Sequence, residues 1–243
     1  MRMTAIIQAR MGSTRLPGKV LEDIGGKSML ARVVRRTQQA RLVNNVIVAT
    51  TVKPADDAIV NECVQLNVPV FRGGEQDVLD RYYQAAGAHH AEAIVRITSD
   101  CPLVDPDVID RVVNAFLDAR PDYASNTLER TYPRGLDTEV IASNALERAW
   151  RQATEPYQRV HVTPYLYENP DLFRLLSVTN SQENSNCRWT VDTPEDLIFV
   201  RQVYARLGDD DCLSWRDILT MLEQEPDLVD LNRDIQHKAL SEA

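Results

Sequence analysis

The sequence contains no apolar run long enough to span a bilayer, and its short N-terminal apolar run is followed by Arg10. That run is too short for the hydrophobic region of a signal peptide, which predicts a cytoplasmic protein. Basic residues are also scarce, since 27 lysines and arginines stand against 36 aspartates and glutamates, for a net charge of -9. A protein that coats nucleic acid needs a basic surface. We therefore expect neither nucleic acid nor a membrane as a partner.

Cysteine pairs are missing as well. The sequence has no CxxC motif, and its scattered cysteines are Cys63, Cys101, Cys187 and Cys212. This spacing argues against a disulfide framework or a zinc site and is typical of reduced thiols in a cytoplasm. Linkers, repeats and low-complexity segments are also lacking. The 243 residues are therefore predicted to form one domain with a large core.

The first half alternates between short β-branched runs and helical patterns. The predicted strands cover residues 5–7, 46–51, 68–71 and 93–97. Apolar residues recur at helical spacing near residues 29–37, 59–66, 77–83 and 108–116. Such alternation predicts a parallel sheet with helices on both faces.

The alternation changes after about residue 120. Strands are predicted at 138–142, 173–178 and 188–191, and helical patterns at 144–153, 156–168, 214–224 and 227–238. A further helix is predicted to start at Thr193-Pro194. The last two helices either cap the domain or bind a partner. The predicted fold class is α/β, with a Rossmann-like, mostly parallel sheet flanked by helices and a mixed second half.

The loop after the first predicted strand reads QARMGSTRLPGK, at residues 8–19, and combines three cations, two glycines and two hydroxyl side chains. Ligands of α/β proteins bind at the carboxyl ends of strands, where this loop begins. Glycines let backbone N–H groups approach an anion, Arg10 and Arg15 offer guanidinium forks, and Lys19 adds a point charge. The loop is therefore predicted to hold a polyphosphate. It matches neither GxGxxG nor the Walker A pattern, and a solvated surface loop is the alternative.

Two aspartates follow closely on predicted strands. Asp100 and Asp192 should both lie at the sheet edge that carries the first loop. Mg²⁺ accepts one or two carboxylates plus substrate phosphates, and carboxylates that share one ion lie within about 6 Å of each other. Alternatively, Asp100 caps a turn and Asp192 is the N-cap of the next helix, although Thr193 is an equally good cap.

Several separate motifs accompany the loop. They are FRG-x₃-DVLDRY at 71–82, RITSDCPL at 96–103, PRGLD at 133–137 and VDTPEDL at 191–197. Their order and spacing resemble the cytidylyltransferases that activate acidic sugars, including KDO and acylneuraminate cytidylyltransferases, and most closely the SpsF-like branch of spore coat polysaccharide biosynthesis proteins. The resemblance implies a nucleotidyltransferase fold of the GT-A type. It also implies a nucleotide-binding half at 1–120 and a substrate-binding half at 121–243.

The resemblance implies a CTP-dependent enzyme. A sugar-acid hydroxyl would attack the α-phosphate of CTP and release pyrophosphate, for polysaccharide of the cell surface or spore coat. It implies Mg²⁺ held by Asp100 and Asp192, with Arg10, Arg15 and Lys19 as catalytic cations, and it is compatible with a homodimer. The predicted nucleotide-binding residues are Gln8, Ala9, Gly12, Ser13, Arg72 and Thr98.

The predicted substrate-binding residues lie in the second half. Arg134 could pair with a sugar carboxylate, while Asp137 and Glu139 could accept hydroxyl groups. His161 lies in an HVTPY segment similar to one in the SpsF-like branch. The alternatives are a solvated surface hairpin around Arg134 and a histidine that packs in the interior.

Other functions fit the sequence less well. A nucleotide-sugar-dependent glycosyltransferase would need a DxD motif, and the nearest pattern, Asp105-Pro106-Asp107, stands where a helix should begin. A sugar-phosphate nucleotidylyltransferase that uses another NTP is a further alternative. A non-catalytic nucleotide-binding protein is disfavoured because both aspartates and all three loop cations are present.

Overall fold

A computed structural model describes residues 1–208 and 210–236 of the chain. The β-strands are β1 (Met3–Gln8), β2 (Asp23–Ile24), β3 (Lys27–Ser28), β4 (Asn45–Thr51), β5 (Val70–Gly73), β6 (Ala93–Thr98), β7 (Tyr123–Ser125), β8 (Glu139–Ala142) and β9 (Leu175–Ser177). The α-helices are α1 (Met29–Gln38), α2 (Asp57–Gln65), α3 (Val78–Ala88), α4 (Pro106–Ala119), α5 (Ser143–Gln152), α6 (Pro156–His161), α7 (Pro164–Tyr167), α8 (Pro194–Leu207) and α9 (Trp215–Gln224). Short 3-10 helices cover Lys19–Leu21, Pro54–Asp56 and Pro226–Leu231.

One sheet runs through both halves of the sequence. Its strand order is β5-β4-β1-β6-β8-β7-β9. The first four strands are parallel, β8 is antiparallel to both β6 and β7, and β9 is parallel to β7. The predicted fold class is confirmed: the sheet is mostly parallel and becomes mixed in the second half.

Helices cover both faces of the sheet. In β1, Ala5 and Ile7 pack in a core with side chains of α1, α2 and α4, while Ile6 packs with α3 and α5 on the opposite face. All three side chains are fully buried. A strand buried on both faces is apolar without alternation, which explains the continuous apolar run that predicted it.

The C-terminal helices form a third apolar cluster. Trp215 at the start of α9 and Tyr204 of α8 are buried there with Trp189, which precedes the candidate metal aspartate Asp192. This packing fixes the segment 188–192 against the body of the protein. No helix within residues 1–208 and 210–236 is long and apolar enough to cross a membrane.

The predicted strand at 188–191 is wrong. In the described chain this segment joins no sheet and makes one isolated parallel bridge, between Arg134 and Arg188. The N–H of Val191 donates to the carbonyl of Asp100 at 2.8 Å. Because its partners are loop residues, no ladder forms, but this bond brings Asp192 towards Asp100.

Other second-half elements also differ from prediction. The helical pattern at 156–168 forms two helices, because Val162 between them has a φ of +74° and Pro164 begins the second one. The pattern at 227–238 forms only the 3-10 helix Pro226–Leu231, and residues 237 and 238 lie outside the described residues. Strand β7 was not predicted, since its three residues are too few to show a periodicity.

Gly135 allows two segments of the second half to pack closely. Its φ is +111°, in a region that side chains with a Cβ disfavour. A Cβ added there would lie 2.7 Å from both the backbone N of Thr190 and the backbone C of Trp189. The PRGLD motif therefore needs glycine at this position to lie against the segment that carries Asp192.

We expect Gly135→Ala to lower the free energy of unfolding by at least about 1–3 kcal/mol, the range for a strained backbone conformation. The clash with the neighbouring backbone adds to this loss. Gly87→Ala is the matched control, since Gly87 lies exposed in α3 with nothing within 4 Å of an added Cβ. The control should be neutral or gain up to about 1 kcal/mol. Urea unfolding measures the free energy of unfolding of both variants. Equal values would contradict the requirement for glycine at position 135.

Candidate active site

A cleft of about 750 Å³ opens where the parallel strands end. Gln8 at the end of β1 and Thr98 at the end of β6 line it. The opposite wall comes from the second half, including Arg134, His161 and Asp192. Ligands of parallel α/β sheets bind at this edge.

The first loop is held in shape by Asp56, which is 2% exposed. One oxygen of its carboxylate accepts the N–H of Met11 at 2.7 Å, and the other accepts the hydroxyl of Thr51. Gly18 has a φ of +75° and donates its N–H to the carbonyl of Met11 at 3.0 Å. The loop therefore folds back on itself and directs Lys19 inward. Sequence reasoning missed Asp56, since nothing in the sequence links it to a loop about 45 residues earlier.

Lys19 lies between the two candidate metal aspartates. Its side chain is only 10% exposed, and its Nζ donates to Oδ2 of Asp100 and to Oδ1 of Asp192, each at 3.0 Å. The same Nζ donates to the carbonyl of Val191 at 2.6 Å. Since each carboxylate oxygen is 3.0 Å from one nitrogen, the two oxygens are no more than twice that distance apart. The aspartates thus meet at the sheet edge that carries the loop.

The three groups hold one another in the charged state. Burial by itself lowers the pKa of Lys19, but Asp100 and Asp192 outweigh it, so this pKa is raised. Burial likewise raises the pKa of Asp100, and the attraction of Lys19 overcomes it, so the net shift is downward. Burial also raises the pKa of Asp192, but the attraction of Lys19 outweighs burial and lowers this pKa to about 2. At neutral pH the cluster therefore contains one ammonium and two carboxylates.

Asp192 also contacts two arginines. Its Oδ2 lies 3.0 Å from Nη2 of Arg15 and 2.9 Å from Nη2 of Arg188. The N-cap of α8 is Thr193, which forms a capping box with Asp196. Asp192 therefore does not cap the helix, and its carboxylate faces the cations of the cleft.

Two further arginines of the cleft form no hydrogen bond or ion pair within the described part of the chain. Among the described residues, the guanidinium groups of Arg10 and Arg134 make neither a hydrogen bond nor an ion pair. Burial and the charge of nearby Arg130 lower the pKa of Arg134. Arg10 is exposed at the rim of the cleft and Arg134 is half-buried in its wall, so both guanidinium groups are available to an anionic ligand.

Both predicted substrate carboxylates already have protein partners. Asp137 lines the cleft and accepts both arms of the Arg130 fork, at 2.6 and 2.9 Å. Glu139 is 6% exposed, pairs with Arg96 and accepts the hydroxyl of Tyr123 at 2.5 Å. The structure therefore places Glu139 beneath the cleft, as a support for Arg96, and not on its surface.

The predicted nucleotide-binding residues are only partly brought together. Arg72 does not line the cleft, because its guanidinium donates to the carbonyls of Thr51 and Lys53 and pairs with Asp57 at 2.7 Å. Gly12 is exposed on the loop and also lies outside the lining. The predicted residues that do line the cleft are Gln8, Ala9, Arg10, Ser13, Arg15, Lys19, Thr98, Asp100, Arg134, Asp137, His161 and Asp192.

Sequence reasoning missed several cations of the cleft. Arg81 is 2% exposed, donates to the carbonyl of Gly74 at 3.0 Å, and has a buried Nε with no hydrogen-bond partner in the described structure. Arg96 donates to Oε1 of Gln8 at 3.1 Å, and Arg130 lies on the opposite wall. Arg81 and Arg96 lie within the motifs DVLDRY and RITSDCPL, so the motifs themselves were the available signal.

The cleft offers two ligands for a metal. Within residues 1–208 and 210–236, no group of three or more His, Cys, Asp or Glu side chains could hold a metal ion. Mg²⁺ needs fewer protein ligands, since it takes one or two carboxylates and completes its shell with waters and substrate phosphates. Asp100 and Asp192 converge on a cationic nitrogen, that of Lys19. Two carboxylates in this arrangement have the chemistry to hold Mg²⁺.

Comparisons with known proteins show the family of this chain. Residues 4–230 match the model of the cytidylyltransferase family. The spore coat polysaccharide biosynthesis protein SpsF of Bacillus subtilis is 36% identical over 229 residues, covering 91% of this chain and 94% of that protein. A 3-deoxy-manno-octulosonate cytidylyltransferase of Pelobacter propionicus is 39% identical over 121 residues, covering 49% of this chain and 46% of that enzyme.

A solved structure extends the similarity over nearly the whole fold. The structure of a cytidylyltransferase from Leptospira borgpetersenii matches with a TM-score of 0.92 and 33% identity, covering 98% of this chain and 100% of that one. The family match, the SpsF relative and this structure each cover most of the sequence. This chain therefore belongs to the cytidylyltransferase family and is a nucleotidyltransferase enzyme.

Proposed function

We propose that the protein transfers the cytidylyl group of CTP to a hydroxyl of an acidic sugar and releases pyrophosphate. The observation that carries this proposal is the convergence of Lys19, Asp100 and Asp192 at the carboxyl edge of the sheet, beside Arg10 and Arg15. A basic loop that faces two carboxylates suits a nucleoside triphosphate, whose phosphate oxygens would pair with the cations, while the two acids would hold a divalent ion.

The loop cations would act on the phosphates. Arg10 has no protein partner within the described chain, so its guanidinium is available to the triphosphate. Arg15 and Lys19 pair with Asp192, and both can exchange this carboxylate for phosphate oxygens when CTP enters. When bound, Mg²⁺ supplies positive charge that stabilises the phosphate oxygens in the transition state. Asp100 and Asp192 would hold that ion.

The transfer itself would be one displacement. The sugar hydroxyl oxygen gives up its proton to solvent water and forms a bond to the α-phosphorus as the bond to pyrophosphate breaks. Charge then builds up on the leaving group and on the phosphorus oxygens, where the cations of Arg10, Arg15 and Lys19 are already in place. Such catalysis depends on positioning and preorganised electrostatics, and it needs no covalent intermediate on the enzyme.

The wall formed by the second half would bind the sugar. The Arg130–Asp137 pair is locally neutral, and Arg134 forms no ion pair with any described residue, so Arg134 would pair with the sugar carboxylate. A planar guanidinium matches a carboxylate with two parallel hydrogen bonds. The names of two relatives support this substrate class, since one is a 3-deoxy-manno-octulosonate cytidylyltransferase and another a polysaccharide biosynthesis protein.

The DxD-like pattern at residues 105–107 does not support the glycosyltransferase alternative. Asp105 caps α4, with Oδ1 accepting the N–H groups of Asp107 and Val108 at 2.9 and 3.2 Å. Its Oδ2 accepts the N–H of Trp215 at 2.9 Å. The side chain is 2% exposed and does not line the cleft. The DPD pattern is therefore a helix cap that also anchors α9.

The roles of the loop cations can be tested by substitution. Arg15→Ala and Lys19→Ala should each lower pyrophosphate release by about 10²–10³-fold, because each removes a preorganised charge. Arg201→Ala is the control, since Arg201 pairs with Glu22 at 3.0 Å on an exposed surface. The control should retain activity. Near wild-type turnover in either loop variant would remove that residue from the mechanism.

Nucleotide choice can be tested by thermal unfolding with Mg²⁺ and each of the four NTPs. CTP should give the largest rise in Tm, since a ligand that binds only the folded state at 100 times its Kd contributes about 2.7 kcal/mol. For a protein of this size that corresponds to about 5–10 °C. A larger shift with UTP, ATP or GTP would contradict the proposed use of CTP.

The carboxylate partner can be tested with a sugar acid that supports turnover. Arg134→Lys should raise the KM for this acid by about 10-fold or more, because the bidentate contact is lost, and should leave the KM for CTP nearly unchanged. Arg111→Lys is the matched control, as Arg111 donates to the carbonyl of Thr179 on the surface and lies outside the cleft lining. Equal rises in both KM values would argue against a sugar contact.

A further inference from the structure

The guanidinium group of Arg188 bridges two carboxylates, that of the candidate metal ligand Asp192 and that of the buried Asp196. Its Nε donates to Oδ1 of Asp196 and its Nη2 to Oδ2, each at 2.9 Å. The same Nη2 donates to Oδ2 of Asp192 at 2.9 Å. The side chain of Arg188 is 9% exposed and that of Asp196 is 0% exposed. The planar guanidinium thus connects a fixed interior carboxylate to one that faces the cleft.

Asp196 is held rigidly. Its Oδ2 accepts the backbone N–H groups of Asp192 and Thr193 at 2.9 and 3.1 Å, and Thr193 caps α8 over it. The side chain of Asn232, 4% exposed, donates from Nδ2 to Oδ1 of Asp196 and to the carbonyl of Arg188, each at 3.0 Å. The C-terminal part of the chain therefore supports the acid that holds Arg188.

The three cations on Asp192 are not equivalent. Arg15, with a side chain 28% exposed, belongs to the phosphate loop, and Lys19 lines the cleft. Both can turn to phosphate when CTP enters. Arg188 lies outside the cleft lining and is bound on its other side to Asp196, so it stays in place. Because Asp196 balances the charge of Arg188, this contact orients Asp192 without cancelling its negative charge.

We propose that Arg188 is a positioning residue that holds Asp192 in the orientation for Mg²⁺ after Arg15 and Lys19 have moved to the phosphates, and that Asp196 and Asn232 keep it there. This inference rests on the proposed function, since it takes Asp192 as a metal ligand. Groups that orient metal-binding side chains typically change metal affinity or activity by about 10–100-fold when they are replaced.

The test measures Mn²⁺ binding by electron paramagnetic resonance, with a non-hydrolysable CTP analogue present, in the full chain. Arg188→Lys keeps the charge but loses the fork, and it should raise the Mn²⁺ dissociation constant by about 10-fold or more. Asn232 reaches Asp192 through Asp196 and Arg188, so Asn232→Ala should raise the Mn²⁺ dissociation constant by a smaller factor. Arg32→Lys is the matched control, because Arg32 is a buried arginine paired with Asp211 at 2.9 Å outside the cleft lining. It should lower Tm without changing Mn²⁺ binding.

The outcomes separate the two proposals. In steady-state assays the positioning role predicts that Arg188→Lys raises the KM for Mg²⁺ far more than it lowers kcat at saturating Mg²⁺. Folded variants that bind Mn²⁺ as tightly as the wild type would overturn the positioning role while leaving the proposed function intact. A fall in Tm for Arg188→Lys and Asn232→Ala with an unchanged Mn²⁺ dissociation constant would also overturn the positioning role and leave the proposed function intact. A wild-type protein that binds neither Mn²⁺ with the analogue nor CTP would overturn both.

Discussion

The site depends on the ammonium group of Lys19, which contacts two carboxylates from distant parts of the sequence. Asp100 follows β6 and Asp192 precedes α8, and each has an oxygen 3.0 Å from the same nitrogen. Burying any one of these charges alone would be unfavourable, and together they compensate one another. The first loop, the end of β6 and the segment 188–192 are therefore joined by electrostatics at the place where the proposed chemistry occurs.

The acidic composition and the cationic cleft are related, because buried acidic side chains hold the basic groups in place. Buried carboxylates fix the basic groups from below: Asp56 fixes the first loop, Glu139 fixes Arg96, and Asp196 fixes Arg188. An arginine held by a buried acid is already oriented before a ligand arrives, so less entropy is lost on binding. A net charge of -9 is thus compatible with a cleft that attracts anions.

The first half of the fold could be predicted more completely than the second. Strands β1, β4 and β6 carry side chains buried in the interior, β5 at the sheet edge is partly buried, and the apolar runs of all four stand out between helical patterns. In the second half the three residues of β7 pair with β8 and β9, and the segment 188–191 pairs only with loops. Neither arrangement has a local periodicity, because the partners that stabilise it lie far away in the sequence.

The sequence by itself determined the strand-helix order of the first half and the chemistry of the loop at residues 8–19. Both are local: periodicity indicates burial, and closely spaced cations and glycines predict an anion site. Only the tertiary structure decided which charged side chains meet each other and which face the cleft. Arg72 and Arg134 look equally suitable in sequence, yet Arg72 pairs with Asp57 outside the cleft and Arg134 has no partner among the described residues. A guanidinium binds a protein carboxylate as readily as a substrate anion, so its role depends on which acid the fold brings within reach.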